Sequence, residues 1–143
     1  MTATLESFFP NLASTGYAVT SPATSTYNCI AWAVGVTDDW WWPDPMDVSA
    51  WPAGVPRDET VDAFVEAFQS LGFTLCPDDA LEVGYEKIAL YADGKLPKHA
   101  ARQLLNGRWT SKLGPLEDIE HSLDGLAGAS YGSVVQILKR PRP

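Results

Sequence analysis

The sequence predicts an α+β domain in which N-terminal helices pack on an antiparallel sheet. Helical patterns occur near positions 29, 60 and 120, whereas strand-like segments follow one another between positions 85 and 113. Two turn signals, Asp93-Gly94 and Asn106-Gly107, connect those segments closely enough to make hairpins. Helices and strands therefore do not alternate as they do in parallel α/β folds. At 143 residues, a single domain spanning 1–143 is expected.

One short helix is predicted near the N-terminus. Residues 1–26 are rich in Thr, Ser, Ala and Pro, and we expect them to be irregular. A helix from Cys29 to about Val34 follows, because Asn28 is a favourable N-cap and Gly35 a favourable stop.

The segment from Asp38 to Pro56, called here the tryptophan loop, is predicted to be ordered but irregular. Its prolines exclude a regular helix or a central strand. Three consecutive tryptophans cannot all point inward from an extended chain, so at least one should be partly exposed. The tryptophans and prolines of the loop are Trp40, Trp41, Trp42, Trp51, Pro43, Pro45, Pro52 and Pro56.

The strongest helical pattern extends from about Glu59 to Leu71, with Asp58 or Thr60 placed to cap its start and Gly72 to end it. A short strand, Phe73 to Leu75, is predicted after it. The apolar positions at helical spacing are Val61, Phe64, Val65, Phe68 and Leu71.

Antiparallel strands are predicted over Lys87 to Ala92, His99 to Leu105 and Arg108 to Leu113. The dipeptide Asn106-Gly107 between the last two is the strongest hairpin signal in the chain.

The C-terminal part is predicted to contain a last helix and a closing strand. The helix extends from Pro115 to about Leu126, and His121 projects to its polar side, where we expect solvent. Ser133 to Leu138 alternates weakly and is predicted to be a strand. The apolar face of the helix is formed by Leu116, Ile119, Leu123 and Leu126.

Charge and composition exclude several classes of function. Ten Lys and Arg against eighteen Asp and Glu give a formal charge of −8, which disfavours a nucleic-acid partner. No segment approaches the roughly 20 apolar residues of a membrane span, and no basic, apolar leader opens the sequence, so we expect a cytoplasmic protein without a membrane partner. Cys29 and Cys76 are not spaced in sequence like the cysteine and histidine ligands of zinc sites. Neither a metal nor another cofactor is therefore expected.

Cys29 is the candidate nucleophile. In the first turn of a helix, backbone N–H groups and the helix dipole favour a thiolate, so we expect a lowered thiol pKa. The same N–H groups, with Asn28 as a second donor, are placed to hold an oxyanion. A cysteine nucleophile needs a base, and His99 is the candidate because His121 is expected in solvent. Cys76, before a proline at the end of a short strand, is interpreted as structural.

A third residue normally orients such a base. A two-residue turn at Asn106-Gly107 pairs Gln103 with Thr110 and places both on the His99 face of the hairpin, so either is a candidate orienting residue. In that register the side chain of Ser111 points to the face of the hairpin opposite His99, unless a bulge shifts the pairing.

Two segments resemble the papain-like superfamily of cysteine hydrolases. YNCIAWA is similar to the helix-opening cysteine motif of that superfamily, and KHAARQLLNGRWTSKLG resembles its histidine strand, hairpin and following strand. The resemblance covers residues 28–113 and implies a papain-like or NlpC-like fold that hydrolyses amide or thioester bonds, with Cys29 as nucleophile and His99 as base. The asparagine and the upstream oxyanion glutamine of papain-type enzymes have no counterpart, so the third role stays open. Ser111 lies in the segment SKLG, whose place in the sequence resembles that of the strand that carries the asparagine in papain-type enzymes.

An alternative alignment compares KIALYADGKLPKHA with the hairpin of NlpC/P60 peptidases. It puts Glu86 or Lys87 where the base histidine of that family lies. The papain-type alignment is preferred because it keeps a histidine as the base.

Other interpretations of these residues remain open. A cysteine followed by Ile, Ala and Trp is also typical of a small buried side chain. The tryptophan loop either packs over the sheet or walls a substrate cleft. Its acids Asp38, Asp39 and Asp44 favour a neutral or cationic ligand. The candidate substrate contacts are Trp40, Trp41, Trp42 and Gln103.

The sequence therefore predicts a cysteine hydrolase that acts on a small peptide, an amide or a protein substrate. The alternatives are a non-catalytic module that binds a protein or glycan through the tryptophan loop, and an effector that deamidates or transglutaminates through the same Cys29 and His99.

Overall fold

A seven-stranded antiparallel sheet forms the centre of the molecule in the computed structural model, which describes residues 2–143, with side chains from Leu5 onward. In space the strands follow the order β1-β6-β5-β4-β3-β7-β2. Their bounds are β1 Tyr17–Ser21, β2 Thr74–Cys76, β3 Tyr85–Asp93, β4 Leu96–Gln103, β5 Trp109–Lys112, β6 Asp118–His121 and β7 Ser133–Pro141. The helices are α1 Thr2–Phe8, α2 Leu12–Thr15, α3 Cys29–Ala33, α4 Val61–Ser70 and α5 Leu123–Leu126. The predicted α+β class is confirmed.

The sheet carries a hydrophobic core on each face, because successive side chains of a strand point in opposite directions. On one face, Tyr91, Ala101 and Ile119 pack with residues of α1, α2 and α5. On the other face, Leu90 and Ala100 pack with residues of α3 and α4. The longest helix that the structure describes, α4, has 10 residues, and no helix in residues 2–143 has the length and apolar character needed to cross a membrane.

Capping residues and prolines in the sequence correctly predicted the starts of two helices and one irregular loop. The predicted helix at Cys29 is α3, and the Asn28 side chain caps it by accepting the N–H of Ala31. Thr60 caps α4 in the same way, through the N–H of Ala63. The tryptophan loop is irregular as expected, and an isolated bridge between Trp41 and Ala50 closes it on itself.

The expectation that residues 1–26 are irregular was wrong. This segment contains α1, α2 and β1, and the side chains of Leu5, Phe9 and Leu12 are buried in the core. The polar composition concealed the few apolar residues that fix these short elements, because helices of 7 and 4 residues depend on tertiary packing more than on propensity.

The predicted last helix was also wrong over most of its length. Residues Asp118–His121 form β6, which pairs with β5 on one side and β1 on the other, and only Leu123–Leu126 is helical. Pairing along both edges satisfies the backbone of this segment and outweighs its helical periodicity. His121, expected in solvent, is completely buried as a result.

The hairpin between β4 and β5 differs from the expected register by one residue. The N–H of Leu104 donates to the carbonyl of Arg108, and Gly107 adopts a φ of 86°, so the loop has three residues rather than two. Arg102 therefore pairs with Thr110, where the two-residue turn predicted Gln103 opposite Thr110. Because side chains alternate, this shift turns Ser111 toward the His99 face.

Candidate active site

The cysteine at the start of α3 lies beside the backbone of β4. Strand β4 pairs with β3 along its length but with β5 at only two positions, Arg102–Thr110 and Gln103–Trp109, and α3 contacts both strands near this opening. The backbone N–H groups of Ala100, Ile30 and Cys29 itself lie near enough to the sulfur of Cys29 to favour its thiolate form. The sulfur therefore lies beside the peptide that joins His99 to Ala100.

The expected lowering of the Cys29 pKa is corrected by the structure. Burial raises the pKa of the thiol to about 11, although the three backbone N–H groups and the charge of Lys112 act in the opposite direction. Only 6% of the residue is exposed, and a helix of five residues has too small a dipole to offset the loss of water around a thiolate. At neutral pH Cys29 is a protonated thiol.

His99 belongs to a buried chain of hydrogen bonds that crosses three strands. Its Nε2 lies 2.8 Å from Oγ of Ser111 on β5, and that oxygen lies 2.7 Å from Nε2 of His121 on β6. The chain ends where Nδ1 of His121 meets the backbone carbonyl of Ser122 at 2.6 Å. All three side chains of this relay, His99, Ser111 and His121, are fully buried.

The relay fixes which nitrogen of each imidazole carries the proton. The carbonyl of Ser122 can only accept, so Nδ1 of His121 is the protonated nitrogen and its Nε2 is an acceptor. The hydroxyl of Ser111 must then donate to His121, and it accepts the Nε2 proton of His99. Nδ1 of His99 is left with a free lone pair, and this atom is buried without a hydrogen-bond partner. The arrangement thus selects the tautomer of His99 in which Nδ1 is the basic nitrogen.

Both imidazoles are neutral at physiological pH. Burial lowers the pKa of His121 to about 4, although the bond to Ser122 acts against that shift. Burial lowers the pKa of His99 well below its ordinary value, and the neighbouring His121 lowers it further. No carboxylate belongs to this hydrogen-bond chain, so a proton taken up by His99 gains no ion-pair partner within the relay.

Cys29 and His99 do not form a hydrogen bond in this structure. Cys29 packs with Ala100 on one face of β4, whereas His99 packs with Tyr91 on the other. Tyr131 connects the two environments: its ring stacks on the imidazole of His99 at 4.1 Å between centroids and 5° between planes, and it also lines the cleft that contains Cys29.

That cleft has a volume of about 340 Å³ and is largely aromatic. Trp40 and Trp42 contribute to its walls, and Trp42 is supported from behind by an edge-on contact with Phe64 at 5.2 Å. Trp41 is not among the lining residues and packs against the core beside α3, with which Trp42 is also in contact. The complete lining is Asn28, Cys29, Trp40, Trp42, Lys98, Gly114 and Tyr131.

Asn28 holds the tryptophan loop against α3. Its Nδ2 donates to the carbonyl of Trp41 at 2.7 Å, and its Oδ1 accepts the N–H groups of Trp41 and Ala31. Asn28 was predicted to donate to an oxyanion, but one of its amide hydrogens is already bonded to the carbonyl of Trp41 and holds the cleft wall in place.

The expectation that Thr110 or Gln103 orients His99 is corrected. The hydroxyl of Thr110 accepts the indole N–H of Trp32 at 3.1 Å, and Gln103 donates to the carbonyl of Asp79 at 2.8 Å. Gln103 also lies outside the Cys29 cleft, so it does not share a binding surface with the tryptophans. Ser111 contacts His99 because of the three-residue hairpin loop.

The acids of the tryptophan loop do not line the cleft. Asp44 accepts the N–H groups of Val48 and Ser49 and pairs with Arg57, so it stabilises the loop internally. Asp38 and Asp39 are exposed outside the cleft. Among residues 2–143, no cluster of three or more His, Cys, Asp or Glu side chains is placed to hold a metal ion.

These features define an α+β protein with a buried cysteine at an aromatic cleft and a histidine–serine–histidine relay beside it. A family model matches residues 18–139, and the chain belongs to that family, described as a domain of unknown function (DUF7689). The matched range includes Cys29, the whole relay and Tyr131. No curated protein and no solved structure matches the chain.

Proposed function

We propose that this protein is a cytoplasmic, papain-like cysteine hydrolase that cleaves amide or thioester bonds. The observation that carries the proposal is the relay from His121 through Ser111, which leaves Nδ1 of His99 as an unpartnered base, while the adjoining peptide N–H of Ala100 lies near the sulfur of Cys29. Cys29 and Cys76 are both free thiols, which suits a reducing compartment.

In the first half of the reaction, the sulfur of Cys29 attacks the substrate carbonyl carbon while His99 Nδ1 takes the thiol proton. The carbonyl oxygen gains the negative charge, and we assign its stabilisation to the backbone N–H groups of Cys29 and Ile30, which lie beside the sulfur. The bond to the leaving nitrogen or sulfur then breaks, and protonated His99 returns the proton to that atom. The product is an acyl thioester on Cys29.

In the second half, a water molecule attacks the acyl thioester and gives its proton to His99. The tetrahedral intermediate collapses, the carboxylic acid leaves, and the proton returns to the sulfur of Cys29. Ser111 and His121 contribute by holding His99 in one tautomer throughout, so that its Nδ1 is always the atom that moves the proton.

The resting state of this pair is neutral. Because burial raises the pKa of Cys29 to about 11 and lowers that of His99, the proton must move during attack rather than before it. Cys29 and His99 lie on opposite faces of β4 and form no hydrogen bond in this structure, so the proposed reaction requires the backbone of β4 as well as Tyr131 to move when substrate binds.

The proposal is tested by following acylation of the chain with p-nitrophenyl acetate by intact-mass spectrometry. We expect one acetyl group on the wild type and on Cys76→Ser, and none on Cys29→Ser. Cys76 is a suitable control because it is buried to 5% exposure, close to the 6% of Cys29, but lies outside the cleft. Acetylation that persists in Cys29→Ser would refute the proposal.

A non-catalytic binding module is a second candidate, favoured by the raised pKa of Cys29 and by its missing hydrogen bond to His99. In that case the aromatic cleft itself is the functional feature. The binding module predicts that ligands shift the tryptophan fluorescence equally in the wild type and Cys29→Ser, and that no acyl-enzyme forms.

A transglutaminase differs from a hydrolase in that an amine, rather than water, accepts the acyl group. A deamidase also uses water but consumes a side-chain amide. Adding a primary amine to the acylated protein distinguishes them: faster loss of the acyl group, with formation of the new amide, indicates transglutamination, whereas release of the free acid alone indicates hydrolysis.

A further inference from the structure

The cleft that contains Cys29 has a single charged side chain. Of its seven lining residues only Lys98 carries a formal charge, and no aspartate or glutamate is among them. Lys98 is half-buried, and its ammonium group forms neither a hydrogen bond nor an ion pair with any residue in the part of the chain that the structure describes. An unpaired cation of this kind is available to a ligand.

Most other buried or partly buried cations in the described part of the chain already bond to carbonyls or carboxylates of the protein. Lys112 donates to three backbone carbonyls, those of Thr24, Gly114 and Leu116, at 2.6 Å each. Five more pair with carboxylates: Arg57, Lys87, Arg108, Lys139 and Arg140. In a chain with a net charge of −8, an acid-free cleft with a free ammonium therefore differs in charge from the rest of the molecule.

The remaining walls of the cleft suit an apolar group. Trp40, Trp42 and Tyr131 are large aromatic surfaces, and such surfaces contribute much of the binding energy of small ligands. The volume of about 340 Å³ lies at the lower end of the range for ligand pockets. The cleft therefore fits a small substrate or one terminal residue of a longer one.

We propose that the substrate of this site, on the basis of the hydrolase proposed above, has an apolar body that lies between the aromatic side chains and a carboxylate that pairs with Lys98. One ammonium group neutralises one negative charge. A phosphate dianion would leave an uncompensated charge in an apolar cleft, which is unfavourable, so a carboxylate is the better match.

Binding to Cys29→Ser, which cannot turn over substrate through the thiol, tests this selectivity separately from catalysis. The probes are N-acetylphenylalanine and its neutral counterpart N-acetylphenylalaninamide, titrated against the tryptophan fluorescence. We expect the carboxylate to bind at least tenfold more tightly, equivalent to about 1.4 kcal/mol. The same background carrying Lys98→Gln should bind both probes alike, whereas Lys98→Arg should keep the preference.

Lys95→Gln is the matched control, because Lys95 is an exposed lysine outside the cleft. It should leave the tenfold preference unchanged. A third probe, N-acetyl-aspartyl-phenylalaninamide, identifies the source of the carboxylate: tight binding of this probe assigns a side-chain carboxylate, and weak binding assigns a chain terminus.

Three results overturn the proposal: equal affinity for the first two probes, a preference that survives Lys98→Gln, and absence of binding by both probes. None of them depends on turnover. If Cys29 is never acylated but the carboxylate preference depends on Lys98, the hydrolase proposal fails while the anion-binding cleft stands; if Cys29 is acylated without any preference, the reverse holds.

Discussion

Acid should destabilise this protein through His121, and the size of the effect follows from its burial. The imidazole is neutral in the folded state because its pKa is about 4 there, whereas the unfolded chain has a value of about 6.5. Below pH 6.5 the unfolded state therefore binds a proton that the folded state does not, and the free energy of unfolding falls as the pH decreases. The loss is complete only below the folded pKa.

The difference between a pKa of about 6.5 in the unfolded chain and about 4 in the folded state corresponds to a maximum of about 3 kcal/mol, of which about 2 kcal/mol is lost by pH 5. His99 acts in the same direction, because its pKa is also lowered by burial. Asp44 and Asp78 have lowered pKa values as well, through hydrogen bonds in the folded state, and they lose their contribution as the pH falls.

Comparison with His121→Gln isolates the single histidine. Glutamine keeps a donor and an acceptor for Ser111 and Ser122 but does not titrate, while all other groups are shared. Urea unfolding followed by tryptophan fluorescence between pH 7 and pH 4.5 should show the variant less stable at pH 7. The two stabilities should then converge by roughly 2 to 3 kcal/mol toward pH 4.5. Parallel curves for the two proteins would show that His121 is not a buried neutral imidazole.

Three further predictions concern the relay and the cleft. Ser111→Ala leaves Nε2 of both histidines buried without a partner, so urea unfolding should show a loss of about 1–3 kcal/mol, and a loss near zero contradicts the relay. The rate of alkylation of Cys29 by iodoacetamide should still be increasing above pH 9, because the thiol pKa is raised to about 11; a plateau by that pH would contradict the burial argument. Gly132→Ala should lower the melting temperature markedly, since a Cβ added there would meet the backbone carbonyl of Ala92, whereas Gly54→Ala, at a similar φ of 83° and with no atom within 4 Å of the added Cβ, should lower it much less.

Elements with local signals were predictable from the sequence. Asn28 and Thr60 are caps whose side chains bond to N–H groups three residues away, so they identify the starts of α3 and α4 without any tertiary information. The same holds for the tryptophan loop, where proline restricts the backbone of its own segment. Cys29 was a candidate because it opens a capped helix, whereas His99 was chosen as the base because His121 was expected in solvent, and the burial of His121 removes that reason.

The remainder of the site depends on contacts between distant residues. The periodicity around His121 fits a helix, and only pairing with β1 and β5 makes this segment a strand. The position of Ser111 depended on a one-residue difference in the length of a hairpin loop, which the Asn106-Gly107 pair alone does not determine. The place of Ser111 in SKLG was the sequence signal that pointed to it.

Tyr131 and Lys98 had no recognisable signal in the sequence. Tyr131 lies in the connection before β7, and its stacking on His99 brings together residues 32 positions apart. Lys98 is identified only by what surrounds it in the cleft, because nothing in the sequence distinguishes it from the other lysines of the chain. A binding surface of this kind is defined by the assembled fold.

The most direct test of the proposed mechanism is the single-turnover rate at which Cys29 is acetylated by p-nitrophenyl acetate at pH 7, in the wild type and in His99→Asn. General-base catalysis typically contributes a factor of about 10² to 10⁴, so the variant should react at least 100-fold more slowly while remaining folded by its tryptophan fluorescence. Equal rates in the two proteins would contradict the assignment of His99 as the base for Cys29.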